Sequence, residues 1–407
     1  SQAGFFKVST ISESVLQTAG TAIDSVSSNV FDLGSDEDGL GTYNVTSDYE
    51  TVENSIDFDQ TPCAGAGCFA AATPTTVTTT TAPVATDDLG NVATYTDPSL
   101  TIADGTTASF APWGASAFVG TGRFDLNGVG STRTTSAEQG LVSLLYTDDL
   151  SGDADLNGSY GFVDLSVSYG SGAATAAALV NTTSRIYQAS FDGGGVLSVF
   201  GTLSRFDASV GNVDGSVTFD ATAIGTGADS YSVTAQGATT LTFSTETVKG
   251  IADAAGEVIA LSDGNKRGYG VKLASGVVAT DIVGTYDLKG MVIQPGLDAL
   301  RAYLLDGATM TFTESAGDIT ATIAYASAQN RDLSTYDATD NALPTVAPAG
   351  GAKKSSMLSG TNSGDSVTFN IAANGRFGPV VFGAGTGQKP MVLDGFLVPG
   401  KGILMRY

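Results

Sequence analysis

The sequence predicts an all-β fold: three consecutive antiparallel β-barrel or β-sandwich units, behind an N-terminal arm and a possible short helix. Three observations predict it. Gly, Thr, Ser and Val dominate, while the straight-chain residues that favour helices are scarce. Alternation of period two recurs, as in Gly215-Ser-Val-Thr-Phe-Asp220, Thr239-Thr-Leu-Thr-Phe-Ser244 and Thr309-Met-Thr-Phe-Thr313. A three-part pattern also repeats. Gly-(Thr/Ser)-Tyr opens it at Gly41, Gly158 and Gly284. Ala-x-Gly follows at Ala103–Gly105, Ala235–Gly237 and Ala373–Gly375. Gly with an apolar run closes it at Gly140, Gly256 and Gly402.

These openings divide the chain into residues 1–40 (arm and helix), 41–149, 150–265 and 266–407. Residues 1–11 read as extended, a strand or an arm. Val15, Leu16, Ala19, Ile23, Val26 and Val30 fall near helical spacing, with Ser12 as a start and Gly34 past the end, which predicts a helix over 12–31. Asp192-Gly193 and Asp306-Gly307 sit between alternating runs and suit tight hairpins. Residues 71–86, Thr-rich with Pro74 and Pro83, read as a linker. Residues 331–365, with Pro344, Pro348, Gly350 and Gly351, read as a long loop in the third unit.

The charge balance narrows the setting. There are 42 Asp plus Glu against 18 Lys plus Arg, a net charge of −24. Nucleic acid and anionic membrane surfaces need basic patches, so neither is an expected partner. Self-association must overcome this repulsion by burial or main-chain pairing. No stretch has the apolar length of a membrane helix. Ser1-Gln-Ala-Gly resembles a processed terminus, which suggests an exported protein. Cys63 and Cys68, the only cysteines, bracket Ala-Gly-Ala-Gly, and in an exported chain that spacing suggests a local disulfide.

Chemistry is sparsely signalled. The chain has no His, which removes Ser-His and Cys-His nucleophiles and every His-ligated metal site. Acidic neighbours such as Asp148-Asp149 and Asp36-Glu37-Asp38 read as solvated turns rather than an acid/base pair across a cleft. Trp113 is the single tryptophan, too few for a sugar-stacking groove, and the expectation is a protein that is not an enzyme. The strongest motif is Asp153-Ala-Asp155-Leu-Asn157-Gly158, with Asp164 at the twelfth position. It is similar to the calcium loops of EF-hands and dockerin-like repeats, and it marks Asp153, Asp155, Asn157 and Asp164 as candidate Ca²⁺ ligands. An acidic β-turn accounts for the same residues. No other cofactor is signalled.

The final stretch, Phe369-Asn-Ile-Ala-Ala-Asn-Gly375-Arg376 through Leu397–Met405, resembles the closing hairpins of lipocalin-like β-barrel repeats. Those repeats occur in tandem in large bacterial secreted and surface proteins, and open with Gly-Thr-Tyr. The resemblance is best over 284–407, weaker over 158–262 and weakest over 41–149. It implies a fold and an extracellular or cell-surface setting, and it carries no catalytic residues.

The expected function is a structural subunit of a bacterial surface filament or surface layer, a homopolymer. Its arm would engage the next copy through Phe5, Phe6, Val8 and Ile11. Two other classes compete. A lipocalin-like carrier of a small apolar ligand would have an empty apolar barrel. An outer-membrane barrel would have an apolar outer band, and the alternating Ile403, Met405 and Tyr407 fit its closing strand.

Overall fold

The computed structural model describes residues 4–18, 21–37, 43–57, 75–81, 94–96, 99–102, 106–114, 116–125, 137–145, 150–169, 178–211, 217–224, 227–234, 237–263, 266–295, 300–315, 318–325, 328–332, 369–382 and 391–406. Cys63, Cys68 and most of the predicted 331–365 loop lie outside them. Strands and two short 3-10 turns make up the regular structure among the described residues.

The N-terminal sheet contains β1 (Gly4–Thr18), β2 (Thr21–Glu37), β3 (Tyr43–Asp57) and β4 (Thr75–Thr81), in that order. This corrects the helix expected over 12–31. β1 and β2 form one antiparallel hairpin, with Thr18 opposite Thr21 and Phe5 opposite Gly34. The physical reason is a degeneracy of spacing. Residues four apart, such as Val26 and Val30, share a face in a helix and in a strand alike. The density of Ser, Thr and β-branched residues then decides for the strand. Of the two readings of residues 1–11, strand or arm, the strand is found: Phe5, Phe6, Val8 and Ile11 belong to β1, which pairs with β2 along its length and lies alongside β9 (Ala137–Leu145). Thr75–Thr81, expected in a linker, pairs with β3.

A second sheet runs β5 (Thr94–Thr96), β6 (Ser99–Ile102), β7 (Thr106–Trp113), β8 (Ala117–Asp125), β9. A closed antiparallel barrel of eight strands follows. Its strands are β10 (Asn157–Tyr169), β11 (Ala178–Asp192), β12 (Val196–Gly211), β14 (Gly227–Val233), β15 (Ala238–Thr242), β16 (Thr247–Ala252), β17 (Val258–Asp263) and β18 (Lys266–Lys272). Each pairs with the next, and β18 returns to β10. β13 (Val217–Ala223) pairs with the half of β12 beyond β14. Asp192-Gly193 lies in the β11–β12 turn, as expected, with Gly193 at φ 75°.

Alternation sets what the barrel holds. Tyr160 and Phe162 of β10, Tyr187 and Phe191 of β11, and Tyr231 and Leu241 opposite them form one buried cluster. The Phe162 and Tyr187 rings stack at 5.0 Å, and Phe191 meets Tyr160 and Tyr231 edge-on at 4.9 and 4.8 Å. The interior is therefore filled by the barrel's own rings.

The C-terminal region has two sheets. One holds β19 (Gly284–Pro295), β20 (Leu300–Ser315), β21 (Asp318–Tyr325) and β22 (Ala328–Asp332). The other runs β23 (Arg376–Phe382), β24 (Met391–Val398), β25 (Gly402–Arg406). They share a core of Met310, Phe312, Ile319, Phe377, Leu393 and Leu397. β24 is buried on both sides. Its Phe396 and Val398 pack with Trp113, Leu145 and Ile186 in a separate cluster against the barrel wall.

Two of the three repeat openings coincide in structure. Gly158 pairs with Phe191, and Gly284 pairs with Phe312. Tyr160 lies edge-on to Phe191, and Tyr286 edge-on to Phe312 at 5.8 Å. The Ala-x-Gly turns share a hydrogen-bond signature. Gly237 N–H donates to Thr234 O and Gly375 N–H to Ala372 O. Gly237 O accepts from Ala252 N–H, and Gly375 O from Leu397 N–H. Both glycines have positive φ, 79° and 84°. In the N-terminal region, Tyr43 opens β3, a strand inside a four-stranded sheet.

Candidate functional site

The barrel has two ends, and different chemistry closes each. At one end a 3-10 turn, Asp153–Asp155, precedes β10 and sends Leu156 into the interior, fully buried. Tyr231 Oη donates to the carbonyls of Asp153 and Leu156, both at 2.9 Å. Tyr160 Oη donates to Gly256 O, and burial pushes its pKa up. Asp153 Oδ1 accepts from Val233 N–H at 2.6 Å. The Asp155 carboxylate accepts from the N–H groups of Ser151 and Gly152, at 2.5 and 2.8 Å.

At the other end, charged residues continue the inward face of the strands. Asp164 follows Tyr160 and Phe162 at a spacing of two and is shielded from solvent. Arg185, its register partner on β11, holds it with two bonds of 3.0 Å each. Glu246, in the β15–β16 turn, spans the mouth to Arg185 at 2.9 Å and to Lys266 Nζ at 2.5 Å. Burial pushes Asp164 above the usual carboxylate range, against the pull of Arg185. Burial would lower Arg185, but the adjacent Asp164 outweighs it and raises the guanidinium pKa. Glu246 is lowered: burial opposes ionisation, and Lys266 and Arg185 together overcome it.

These placements separate the calcium candidates. A calcium loop must curl so that its first and twelfth residues reach one ion. Here the chain extends from Asn157 as β10, so Asp164 lies about 23 Å further along the strand. Asp164 is held by Arg185, Asp153 and Asp155 hold main-chain N–H groups, and Asn157 is exposed at the strand's start. The four do not form one site, and among the described residues no group of three or more His, Cys, Asp or Glu could hold a metal ion. The Asp-x-Asp-x-Asn-Gly pattern instead encodes a capped turn leading into a strand.

Two further polar clusters fasten the barrel to its surroundings. Buried Asp253, in the β16–β17 turn, accepts from Ser116 Oγ between β7 and β8, and from the N–H groups of Glu257 and Val258 at 2.7 and 2.8 Å. Its pKa is raised by burial. Buried Asp394 of β24 pairs with Arg376 and, at 3.2 Å, with Arg406. Arg406 reaches the barrel wall, donating to Ser184 O at 2.8 Å, to Ser204 O at 3.3 Å and to Ser204 Oγ. Burial lowers its pKa to about 10. Sequence reasoning missed Arg185, Glu246, Lys266, Asp394 and Arg406. The usable signal was a charge on the apolar face of an alternating strand, as at Asp164 after Tyr160 and Phe162.

No protein-family model, no curated protein and no solved structure matches the chain. The functional reading therefore rests on the geometry above.

Proposed function

We propose that this is a non-enzymatic extracellular structural protein, a subunit of a bacterial surface filament or surface layer that assembles with copies of itself. One observation carries the reading: the barrel is closed, filled by its own aromatic rings and capped at both ends. A carrier of small apolar ligands needs room for one, whereas a packed barrel bonded to its neighbours serves as a rigid block. The barrel is also inside-out relative to a membrane-spanning one. Its main aromatic cluster points inward, its outward apolar residues such as Val163, Ile186 and Tyr269 are covered by the Phe396 cluster, and exposed outward positions of β14 to β16 include Ser230, Ser232, Thr242, Thr247 and Lys249.

Assembly then needs a linker that works between two acidic copies. β1, carrying Phe5, Phe6, Val8 and Ile11, is the terminal strand of its own sheet. Because β1 has a partner in β2, a link through it is a strand exchange, in which main-chain bonds lost to β2 are remade in a neighbour. Such contacts are head-to-tail and propagate. Electron microscopy of the purified native protein tests the reading. Filaments or sheets are expected, and their loss on deleting residues 1–11. A protein monomeric at every concentration overturns it.

A further inference from the structure

We infer that the point where turns of three sheets meet is a proton-operated latch, in which a proton on Asp253 tightens the hold of the barrel on the β5–β9 sheet and on the C-terminal hairpin. The latch goes beyond the assembly reading and does not depend on it.

Three turns build the junction. Asp253 to Glu257 join β16 to β17 of the barrel, Gly114 and Ser116 lie between β7 and β8, and Lys401 lies between β24 and β25. Among the described residues no strand pairing joins these three sheets, so side chains make the connection here. Asp253 accepts from Ser116 Oγ, and Ala255 N–H donates to the same hydroxyl at 3.3 Å. Glu257 pairs with Lys401 Nζ, and a methyl group on Gly114 would strike the Glu257 carboxylate. Trp113 closes the apolar side. It packs with Val258 and Ala260 of the barrel and Val398 of β24, and a methyl group on Gly402 would sit 2.9 Å from its ring.

Charge at the junction is unevenly shared. Lys401, from the β24–β25 turn, is taken by Glu257. Asp253 is fully buried and is held by hydrogen bonds: Oδ1 accepts from the N–H groups of Glu257 and Val258, and Oδ2 from Ser116. The titratable groups that face it are the Glu257 carboxylate of its own turn and the Tyr160 phenol of β10, whose Oη donates to Gly256 O. Neither offers a positive charge. Burial, helped by the like charge of Glu257, therefore outweighs the three donors and raises the Asp253 pKa.

Proton uptake fits this geometry. Two main-chain donors occupy Oδ1, so the proton goes to Oδ2, and Ser116 then accepts from the carboxyl group instead of donating to it. The contact between barrel and β7–β8 turn survives, the repulsion between Asp253 and Glu257 ends, and Glu257 keeps Lys401. With a raised folded value, this stabilisation is fully present below the ordinary aspartate value and is lost as pH rises through the folded one. The junction is tightest in mild acid and looser at neutral pH. Both neighbouring sheets respond together, because Ser116 and Lys401 anchor on the same turn of the barrel.

Trp113, the single tryptophan, reports the junction in the full-length protein. Acrylamide quenching of its fluorescence should rise about twofold as pH climbs through a midpoint above the ordinary aspartate value of about 4. Asp253→Asn should abolish this transition. Asp164→Asn, at the other buried carboxylate of the barrel with a raised pKa, should leave it in place. Two further variants should move the midpoint in opposite directions. Ser116→Ala removes a donor to the charged form and raises it, whereas Glu257→Gln removes the like charge and lowers it. If Asp253→Asn fails to fold, these opposite shifts decide. The latch is overturned by a native protein without the transition, by a transition that persists in Asp253→Asn or is lost in Asp164→Asn, or by midpoints that move together or not at all.

Discussion

Asp155 and Asp281 hold the same post in two parts of the chain. Each is the third residue of a 3-10 turn that leads into a Gly-(Ser/Thr)-Tyr strand. Asp155 accepts from Gly152 N–H at 2.8 Å, and Asp281 from Val278 N–H at 2.9 Å. The residue that follows, Leu156 or Ile282, is fully buried. The acid thus fixes a turn that drives an apolar plug into a core.

This equivalence gives the first prediction. Asp155→Ala and Asp281→Ala should each cost about 1 kcal/mol, the usual value of a lost cap. Chemical denaturation midpoints measure it. The loss at Asp155 should be the same in millimolar calcium and in chelator, since its oxygens already serve the main chain. A loss at Asp155 that appears only with calcium present would restore the metal reading.

A second prediction concerns the seam between barrel and C-terminal hairpin. A methyl group on Gly161, on the outer face of β10, would sit 2.5 Å from the Phe396 ring. Gly161→Ala should therefore loosen β24 at a cost of about 1–3 kcal/mol, the range for overpacking. Trp113 shares the Phe396 cluster, so its fluorescence reports the seam. The double variant Gly161→Ala/Phe396→Ala should recover part of the strain. Additive losses in the pair would mean the ring is not the obstacle.

Why some of this was legible in sequence, and some not, follows from range. The β class shows in composition, and the turns at Asp192-Gly193 and Gly375 show in single glycines whose positive φ the chain requires. The Gly-Ser-Tyr and Gly-Thr-Tyr openings were visible because the same short motif recurs at the start of equivalent strands, although their partners Phe191 and Phe312 lie far along the chain. The helix expected over 12–31 failed because spacing of four does not distinguish a helix from a strand. Seven residues of extended chain separate Asn157 from Asp164, a separation that the Asp-x-Asp-x-Asn-Gly pattern by itself does not record. The bonds of Arg185 to Glu246, and of Arg406 to Ser204, join residues far apart in sequence, which no local pattern records.

Cys63 and Cys68 supply a third prediction, resting on their spacing alone. If they are bonded, intact mass under non-reducing conditions is two hydrogens below that of the reduced protein. So short a loop removes little denatured-state entropy, so Cys63→Ser/Cys68→Ser should shift the denaturation midpoint only modestly. Rapid thiol labelling of the untreated denatured protein would show the pair to be free.

The charged mouth of the barrel makes the last prediction, and its two carboxylates act in opposite senses. Glu246 has a lowered folded-state pKa, so it stabilises the fold above the ordinary carboxylate range and loses that contribution as pH falls through its folded value. Asp164 has a raised one: burial disfavours its charge, so its ionisation works against folding as pH rises past the ordinary value towards the folded one. Arg185 limits that cost with two hydrogen bonds. Removing the partner should therefore hurt more than removing the pair. Arg185→Leu leaves a buried carboxylate and should cost about 3–5 kcal/mol at neutral pH, the range for a broken buried ion pair. Asp164→Leu/Arg185→Leu should cost less than that single variant, since no charge is stranded. Glu246→Gln should flatten the acid limb of the stability profile from the ordinary carboxylate value downwards through the lowered folded one, without altering the profile at neutral and alkaline pH. Denaturant titrations from neutral pH through that range read all three, and an Arg185→Leu variant as stable as the native chain would show that Asp164 is not buried in the barrel.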